Sequence, residues 1–244
     1  MNFPTASATQ PAAEQRTRLP RHVGIVLDGN RRWARRNGLE STADGHRTGF
    51  DKIPDVLTWC AESGIQFVTL WMLSDDNIAR RSASELEDLY AIDEGVINRL
   101  RASGRWRLHH IGNPDLLPRS IVRLLRDAEE DTHRNTGMLV NLAIGYGGRS
   151  DVLTAVRSII EDVTHGRGVQ VTEEELANRL STAGQPDPEF IIRPSGEFRT
   201  SGFLLWQAAL AELYFCDCLW PDFTRDDLAQ ALRSFSERTR RLGV

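Results

Sequence analysis

The stretch "HVGIVLDGNRRWARRNG", residues 22–38, decides the fold. Its first six residues, "HVGIVL", form a short apolar run that reads as a buried β-strand. A lone carboxylate, Asp28, follows, then a Gly29-Asn30 turn and "RRWARRNG", which reads as a helix start. Strand, turn and helix in immediate succession predict an α/β unit, and in open parallel sheets ligands gather outside the carboxyl ends of the strands. The residues after each strand are therefore the candidates for function.

Outward from that stretch, "QFVTLWML" (66–73), "WRLHHI" (106–111), "MLVNLAI" (138–144), "EFII" (189–192) and "ELYFCD" (212–217) predict five more strands. Between them, Phe50, Ile53, Val56, Leu57 and Cys60 share a helical face that stops at Gly64, and 85–102, 118–134, 150–162, 173–180 and 226–241 repeat that period. The expected fold is α/β: a mostly parallel central sheet of about six strands flanked by helices on both faces. Residues 1–20 read as a flexible tail without the apolar core of a signal peptide, and 21–244 as a single domain.

A chain of 244 residues, 40% hydrophobic and 26% charged, has the composition of a soluble globular protein. Its net charge of -4 offers no general attraction to polyanions, and no basic run is long enough to suggest a nucleic-acid partner. Lys52 is the only lysine, so arginine usage is compositional and an isolated arginine says little. Cys60, Cys216 and Cys218 show neither metal-ligand nor redox spacing, and their odd number suits a reducing cytoplasm. No apolar run is long enough for a transmembrane segment.

The strand ends concentrate donors for anions. Gly29 permits close backbone approach, and with Arg31 and Arg32 the first turn reads as a phosphate cradle beside a carboxylate able to hold Mg²⁺. A capping Asx turn with solvated arginines is the other reading of the same residues. Ser74, Asp75, Asp76 and Asn77 read equally as a site or as caps for a helix beginning near Ser84. "GYGGR" (145–149) offers open amides or a plain tight turn. Arg193, Ser195, Arg199 and Ser201 fall within nine positions and suit a second diphosphate. Glu212, an acid in an apolar run, calls for a partner: a cation shared with Asp28, or a salt bridge to Arg193 or Arg199.

With these residues in place, the chain resembles the cis-prenyltransferases, the undecaprenyl diphosphate synthase family of Z-prenyl diphosphate synthases. "HVGIVLDGNRRWA", "GHRTG", "GYGGR", "IIRPSGEFRTSGFLLWQ" and "AELYFCDCLWPDF" follow that family's order and approximate spacing, from Pro20 to the C-terminus. The resemblance implies a homodimer with a hydrophobic tunnel floored by the sheet, and an Mg²⁺-dependent transfer between an allylic and a homoallylic diphosphate. It implies Asp28 as the catalytic acid that positions Mg²⁺, assisted by Glu212. Gly29, Asn30, Arg31, Arg32, Trp33 and His46 would hold the allylic diphosphate, and Arg193, Arg199 and Ser201 the homoallylic one. Ser74, Asn77 and Arg80 match part of a Ser-x-x-Asn-x-x-Arg loop that takes part in proton removal.

The sequence departs from that pattern at Asp76, Ile78, Arg81, Gly145, Pro194 and Phe198. Two reactions remain open. The expected one adds isopentenyl diphosphate to a short allylic primer such as dimethylallyl or geranyl diphosphate, giving a short Z-product of 10 to 20 carbons, as in actinobacterial members of the family. The alternative is head-to-middle condensation of two allylic diphosphates, as in the lavandulyl-type branch, which Pro194 resembles and which Gly145 and Phe198 would serve in a changed acceptor pocket. A non-catalytic partner subunit is a third reading, and the presence of Asp28 counts against it.

Overall fold

The computed structural model describes residues 19–238. Most of the expected tail and the last residues of the expected C-terminal helix lie outside that range. Six strands form one sheet: β1 (His22–Val26), β2 (Phe67–Ser74), β3 (Arg107–Ile111), β4 (Leu139–Tyr146), β5 (Phe190–Arg193) and β6 (Glu212–Phe215), in the order β3-β4-β2-β1-β5-β6. Every pairing is parallel. β1 lies inside the sheet between β2 and β5, which is why all five of its residues are buried and its sequence is continuously apolar.

The helices are α1 (Asn30–Arg36), α2 (Thr42–Asp51), α3 (Ile53–Glu62), α4 (Asp75–Arg80), α5 (Ala83–Ala102), α6 (Arg119–Thr132), α7 (Gly148–Thr164), α8 (Glu173–Ala177) and α9 (Arg225–Glu237). Side chains alternate across each strand. On one face Val23, Ile25, Val68, Leu70, Val140, Leu142, Phe190 and Ile192 merge with α2, α3, α5, α6 and α9 into the main core. The other face is less uniformly apolar. There His22 and Thr69 share a 2.8 Å hydrogen bond, and Asn141 donates to Thr69 and Gln185 at 2.9 and 2.7 Å, so these buried polar groups are satisfied within the face.

The two faces are closed differently. The smaller core of the second face is closed by Phe203 and Leu204, which come from a run of turns rather than a helix. Phe203 stacks on Trp71 with ring centroids 5.1 Å apart. On the first face, where the tunnel is expected, Phe50 of α2 and Leu89, Val96 and Ile97 of α5 fill the layer above the sheet. No helix among the described residues is long and apolar enough to cross a membrane.

Candidate active site

The carboxyl ends of β1, β2, β4 and β5 open into a cleft of about 840 Å³. Its lining explains the opening stretch of sequence. Gly29 has a φ of 105°, a conformation that a side chain resists, and an added Cβ there would press on Leu219. The turn therefore delivers the start of α1 to the cleft without a side-chain cap. Asn30 does not cap it. Its Nδ2 donates to the Leu27 carbonyl at 2.8 Å, and its Oδ1 is buried without a partner. A Cβ at Gly45 or Gly49 would collide with Asn30, so the two glycines of "GHRTG" let α2 settle onto the turn and bring His46 to the cleft wall.

Asp28 is held from three sides. Its Oδ1 accepts the Gly29 N–H at 2.7 Å; its Oδ2 accepts from Arg193 Nη2 at 2.7 Å and from Ser195 Oγ at 2.9 Å. The capping reading of Asp28 is thereby replaced by a charge-assisted contact across the cleft floor. Burial pushes the Asp28 carboxyl up, but these hydrogen bonds and the Arg193 charge outweigh it and hold the group below the usual carboxylate range. Arg193 is itself braced: its Nη1 donates to the Arg199 carbonyl at 2.6 Å and to Ser201 Oγ at 2.9 Å, and its Nε is buried without a partner.

Eight arginines line the cleft (31, 32, 35, 80, 81, 149, 193 and 199) against four carboxylates (28, 75, 76 and 197), although the whole chain is net negative. Several of these arginines lean on carboxylates: Arg31 on Glu85 at 3.5 Å, Arg32 on Glu197 at 3.6 Å, Arg80 on Asp76 at 3.4 Å, and Arg199 on Glu197. Each pair except Arg193–Asp28 is exposed enough to open at small cost when a more highly charged anion arrives. Ser74 caps α4 rather than a helix near Ser84, its Oγ accepting the Asn77 N–H at 3.0 Å. That cap sets Ser74, Asn77 and Arg80 along the same wall.

Arg81 was legible only as a departure from the family pattern, yet it completes the wall. Its Nη1 lies 3.3 Å from His46 Nε2. Burial, and then the charges of Arg81 and Arg31, push the His46 imidazole down to about 4, so it is neutral at physiological pH. Ser195, Arg35 and Arg149 also belong to the site by contact or lining. For Arg149 the available signal was its place just beyond a strand end and for Arg81 its place at the end of α4, while Ser195 already stood among the donors after Arg193.

Three expectations are corrected. Trp33 does not line the cleft; its indole Nε1 donates to Asp222 at 2.7 Å and ties α1 to the turn before α9. Glu212 does not meet Asp28 within the chain. It begins β6, level with Phe190 and hence with Val23, so five residues of sheet, roughly 16 Å, separate it from Asp28. Its charge partner is Arg238, at 3.4 Å, not Arg193 or Arg199. Gly145 and Phe198 do not line the cleft either. Gly145 packs near Asn113 and Leu117, and Phe198 is 77% exposed beside Phe215.

An open parallel sheet with an arginine-rich cleft around one carboxylate, floored by Val26, Leu27, Trp71 and Met72, has the chemistry to hold diphosphates carrying apolar groups. Comparison with known proteins narrows the class. The prenyltransferase family model described as undecaprenyl diphosphate synthase matches residues 26–243, and the chain belongs to that family of isoprenyl transferases. It is 51% identical over 230 residues to the (2Z,6E)-farnesyl diphosphate synthase of Thermobifida fusca, across 92% of this chain and 90% of that protein. It is 47% identical over 232 residues to isoprenyl transferase 1 of Streptomyces avermitilis, across 92% and 89%. Among solved structures, lavandulyl diphosphate synthase from Lavandula x intermedia, in complex with dimethylallyl diphosphate, superposes with a TM-score of 0.88 at 34% identity, covering 93% of this chain and 99% of that one.

Proposed function

We propose that the protein joins an allylic diphosphate to isopentenyl diphosphate, forming a short Z-prenyl diphosphate and releasing pyrophosphate. The observation that carries this reading is the gathering of eight arginines around one carboxylate, Asp28, which Arg193 contacts directly. Two diphosphates side by side need a cleft with that much positive charge. The likeness to a (2Z,6E)-farnesyl diphosphate synthase supports geranyl diphosphate as the primer and a C15 product.

The allylic diphosphate is the group that departs. As its C–O bond breaks, negative charge grows on the leaving oxygens, and guanidinium groups fixed beforehand stabilise it without reorganising. The isopentenyl double bond then attacks the allylic carbon, and one proton leaves the new chain. Ser74 and Asn77, on the cleft wall that also carries Arg80, would receive or relay that proton. The apolar floor shields the cationic carbons from water.

Mg²⁺ fits this donor set in a particular way. Among the described residues no group of three or more His, Cys, Asp or Glu could cage a metal, whereas Asp28 offers an ionised carboxylate at a diphosphate-binding surface. Mg²⁺ is commonly held by one carboxylate together with substrate phosphates. Asp28 would hold it, and bound there the ion would neutralise charge on the departing diphosphate. Glu212 has no place beside it in the same chain.

A homodimer is also proposed. Leu153, Val156, Ile160 and Val163 form an exposed stripe along α7 at helical spacing, and Leu205, Trp206 and Leu210 expose further apolar surface. A second copy is the partner such a self-complementary stripe fits. We place the reaction in the cytoplasm, in keeping with the three free cysteines.

Incubation with Mg²⁺, geranyl or dimethylallyl diphosphate and isopentenyl diphosphate should release pyrophosphate and give one Z-product by mass spectrometry and NMR. The likeness to lavandulyl diphosphate synthase keeps one competitor in view. A branched product from dimethylallyl diphosphate alone would establish head-to-middle coupling instead, and no pyrophosphate from any pair would defeat the enzyme reading.

A further inference from the structure

Cys216 and Cys218 flank Asp217 where the chain leaves β6. Their spacing carries no redox meaning by itself, but the chain bends at 217–218 and turns both side chains toward the helical face of the sheet, with the sulfurs 3.2 Å apart. Neither thiol is fully buried, and Asp217 between them is exposed. Cys60, in contrast, is sealed in the core, where burial pushes its thiol up to about 12. A hydrogen bond from Cys216 favours the thiolate of Cys218, whose acidity is raised, while the Cys216 thiol is pushed up by the same bond and by burial.

The backbone of this pair is the template for the catalytic turn. The Cys218 carbonyl accepts the Ser195 N–H at 2.7 Å and the Cys216 carbonyl accepts the Gly196 N–H at 2.9 Å. Those two bonds fix consecutive left-handed residues, Ser195 at φ 97° and Gly196 at φ 69°. Ser195 then donates to Asp28. A disulfide brings its sulfurs to about 2.05 Å, well inside the present 3.2 Å, so closing one tightens the segment. The Cys216 carbonyl lies inside the ring that would form, and the Cys218 carbonyl lies next to it.

We propose that Cys216 and Cys218 form a thiol–disulfide exchange site, through which a low-molecular-weight disulfide switches off the diphosphate cleft. The Cys218 thiolate attacks one sulfur of the small disulfide, whose S–S bond breaks and expels a thiolate. Cys216 gives up its proton and attacks the Cys218 sulfur, expelling the second thiolate. The two cysteines lose two electrons and two protons, and the small disulfide becomes two thiols. The new bridge withdraws the carbonyl template, Ser195 turns away from Asp28, and the cleft loses its hold on diphosphate. This rests on the cleft being the diphosphate site.

The test equilibrates the full chain in glutathione buffers running from fully reduced to fully oxidised. Intact mass and peptide mapping report the bridge, calorimetry reports affinity for inorganic pyrophosphate, and turnover is measured separately. The expected result is loss of two hydrogens in the Cys216–Cys218 peptide with Cys60 free, and pyrophosphate affinity about tenfold weaker, the effect of losing one hydrogen bond to a charged group. Dithiothreitol should restore both. In Cys218→Ser, and in Cys216→Ser should the first fold poorly, the oxidised-to-reduced affinity ratio should stay near one. Sulfurs that remain reduced, or that stop at a glutathione adduct, overturn the proposal. So does a bridge that leaves affinity unchanged. An inactive but pyrophosphate-binding reduced enzyme would count against prenyl transfer and leave the switch to be decided by mass and affinity.

Discussion

Arg193 Nη2 donates to Asp28 Oδ2 at 2.7 Å, joining the ends of two neighbouring strands whose residues lie 165 positions apart in sequence. The Arg193 side chain is only 6% exposed and that of Asp28 32%, so a buried cation is neutralised by an acid that still reaches the cleft. The contact holds Asp28 in place at the cleft, as the proposed reaction requires, and it keeps the Arg193 charge paired. Those two roles can be separated.

Asp28→Ala should lower turnover by at least about a hundredfold, as expected for removal of a charge-positioning group. It should also lower stability by on the order of 1–3 kcal/mol, because Arg193 is left buried and unpaired. The double variant Asp28→Ala/Arg193→Met should recover melting temperature without recovering turnover. If both singles and the double melt alike, the contact has no structural role. The sign of its pH dependence follows from the lowered carboxyl: the stabilisation is present above the unfolded value near 3.8 and is lost as pH falls through the lower folded value.

The second test concerns His46 and Arg81. His46 should titrate near 4 by NMR, since burial and the facing Arg81 and Arg31 charges all oppose the imidazolium, with Glu85 and Asp28 acting weakly the other way. Arg81→Met should raise that value toward 6.5. Because the folded value is depressed, stability falls as pH drops between about 6.5 and 4, and the variant should show a shallower fall. An unsubstituted protein whose His46 titrates near 6.5 would contradict the arrangement.

How far these relationships could be read in advance depended on distance along the chain. The β1 strand, the Gly29 turn and the donor-rich run from Arg193 to Ser201 are local patterns, and all three were legible. The Asp28–Arg193 pair is not local, so no spacing rule could reveal it. Glu212 shows a different failing. It was selected as an acid within an apolar run, yet it starts its strand, and a parallel sheet puts strand starts at the end opposite the cleft. That rule was already available. Trp33 was placed at the substrate by its neighbours in the motif, whereas helical rotation aims it at Asp222. Arg81 stood out only as a missing proline, because the histidine it faces comes from another helix.

Asp93 yields a third prediction. It sits on α5 among Leu89, Ile92, Val96 and Ile97, is 1% exposed, and neither carboxylate oxygen has a hydrogen-bond partner. Burial, only partly offset by Arg81, pushes the group up to about 8. Below pH 4 both states are protonated and it costs no charge. As pH rises from about 4 to 8 the unfolded chain ionises while the folded one keeps its proton, so stability falls across that window. Asp93→Leu should raise the melting temperature at pH 8 and do so less at pH 5, by about 1.4 kcal/mol for each unit of pH the slope is removed. Equal gains at the two pH values would show that packing, not charge, sets the effect.

The last prediction addresses the α7 stripe. Ile160 is 55% exposed, so Ile160→Glu should leave the fold of an isolated chain intact while placing a charge at the centre of the proposed contact between copies. Sedimentation should give a dimer for the unsubstituted chain and a monomer for the variant, with similar circular dichroism. Ile160 lies far along α7 from the Gly148 end that faces the cleft, so any loss of activity in the variant should be restored at high protein concentration if the dimer supports the site only by holding it rigid. A monomeric parent chain would defeat the proposed dimer, and a variant that remains dimeric would move its interface off the Leu153, Val156, Ile160 and Val163 stripe.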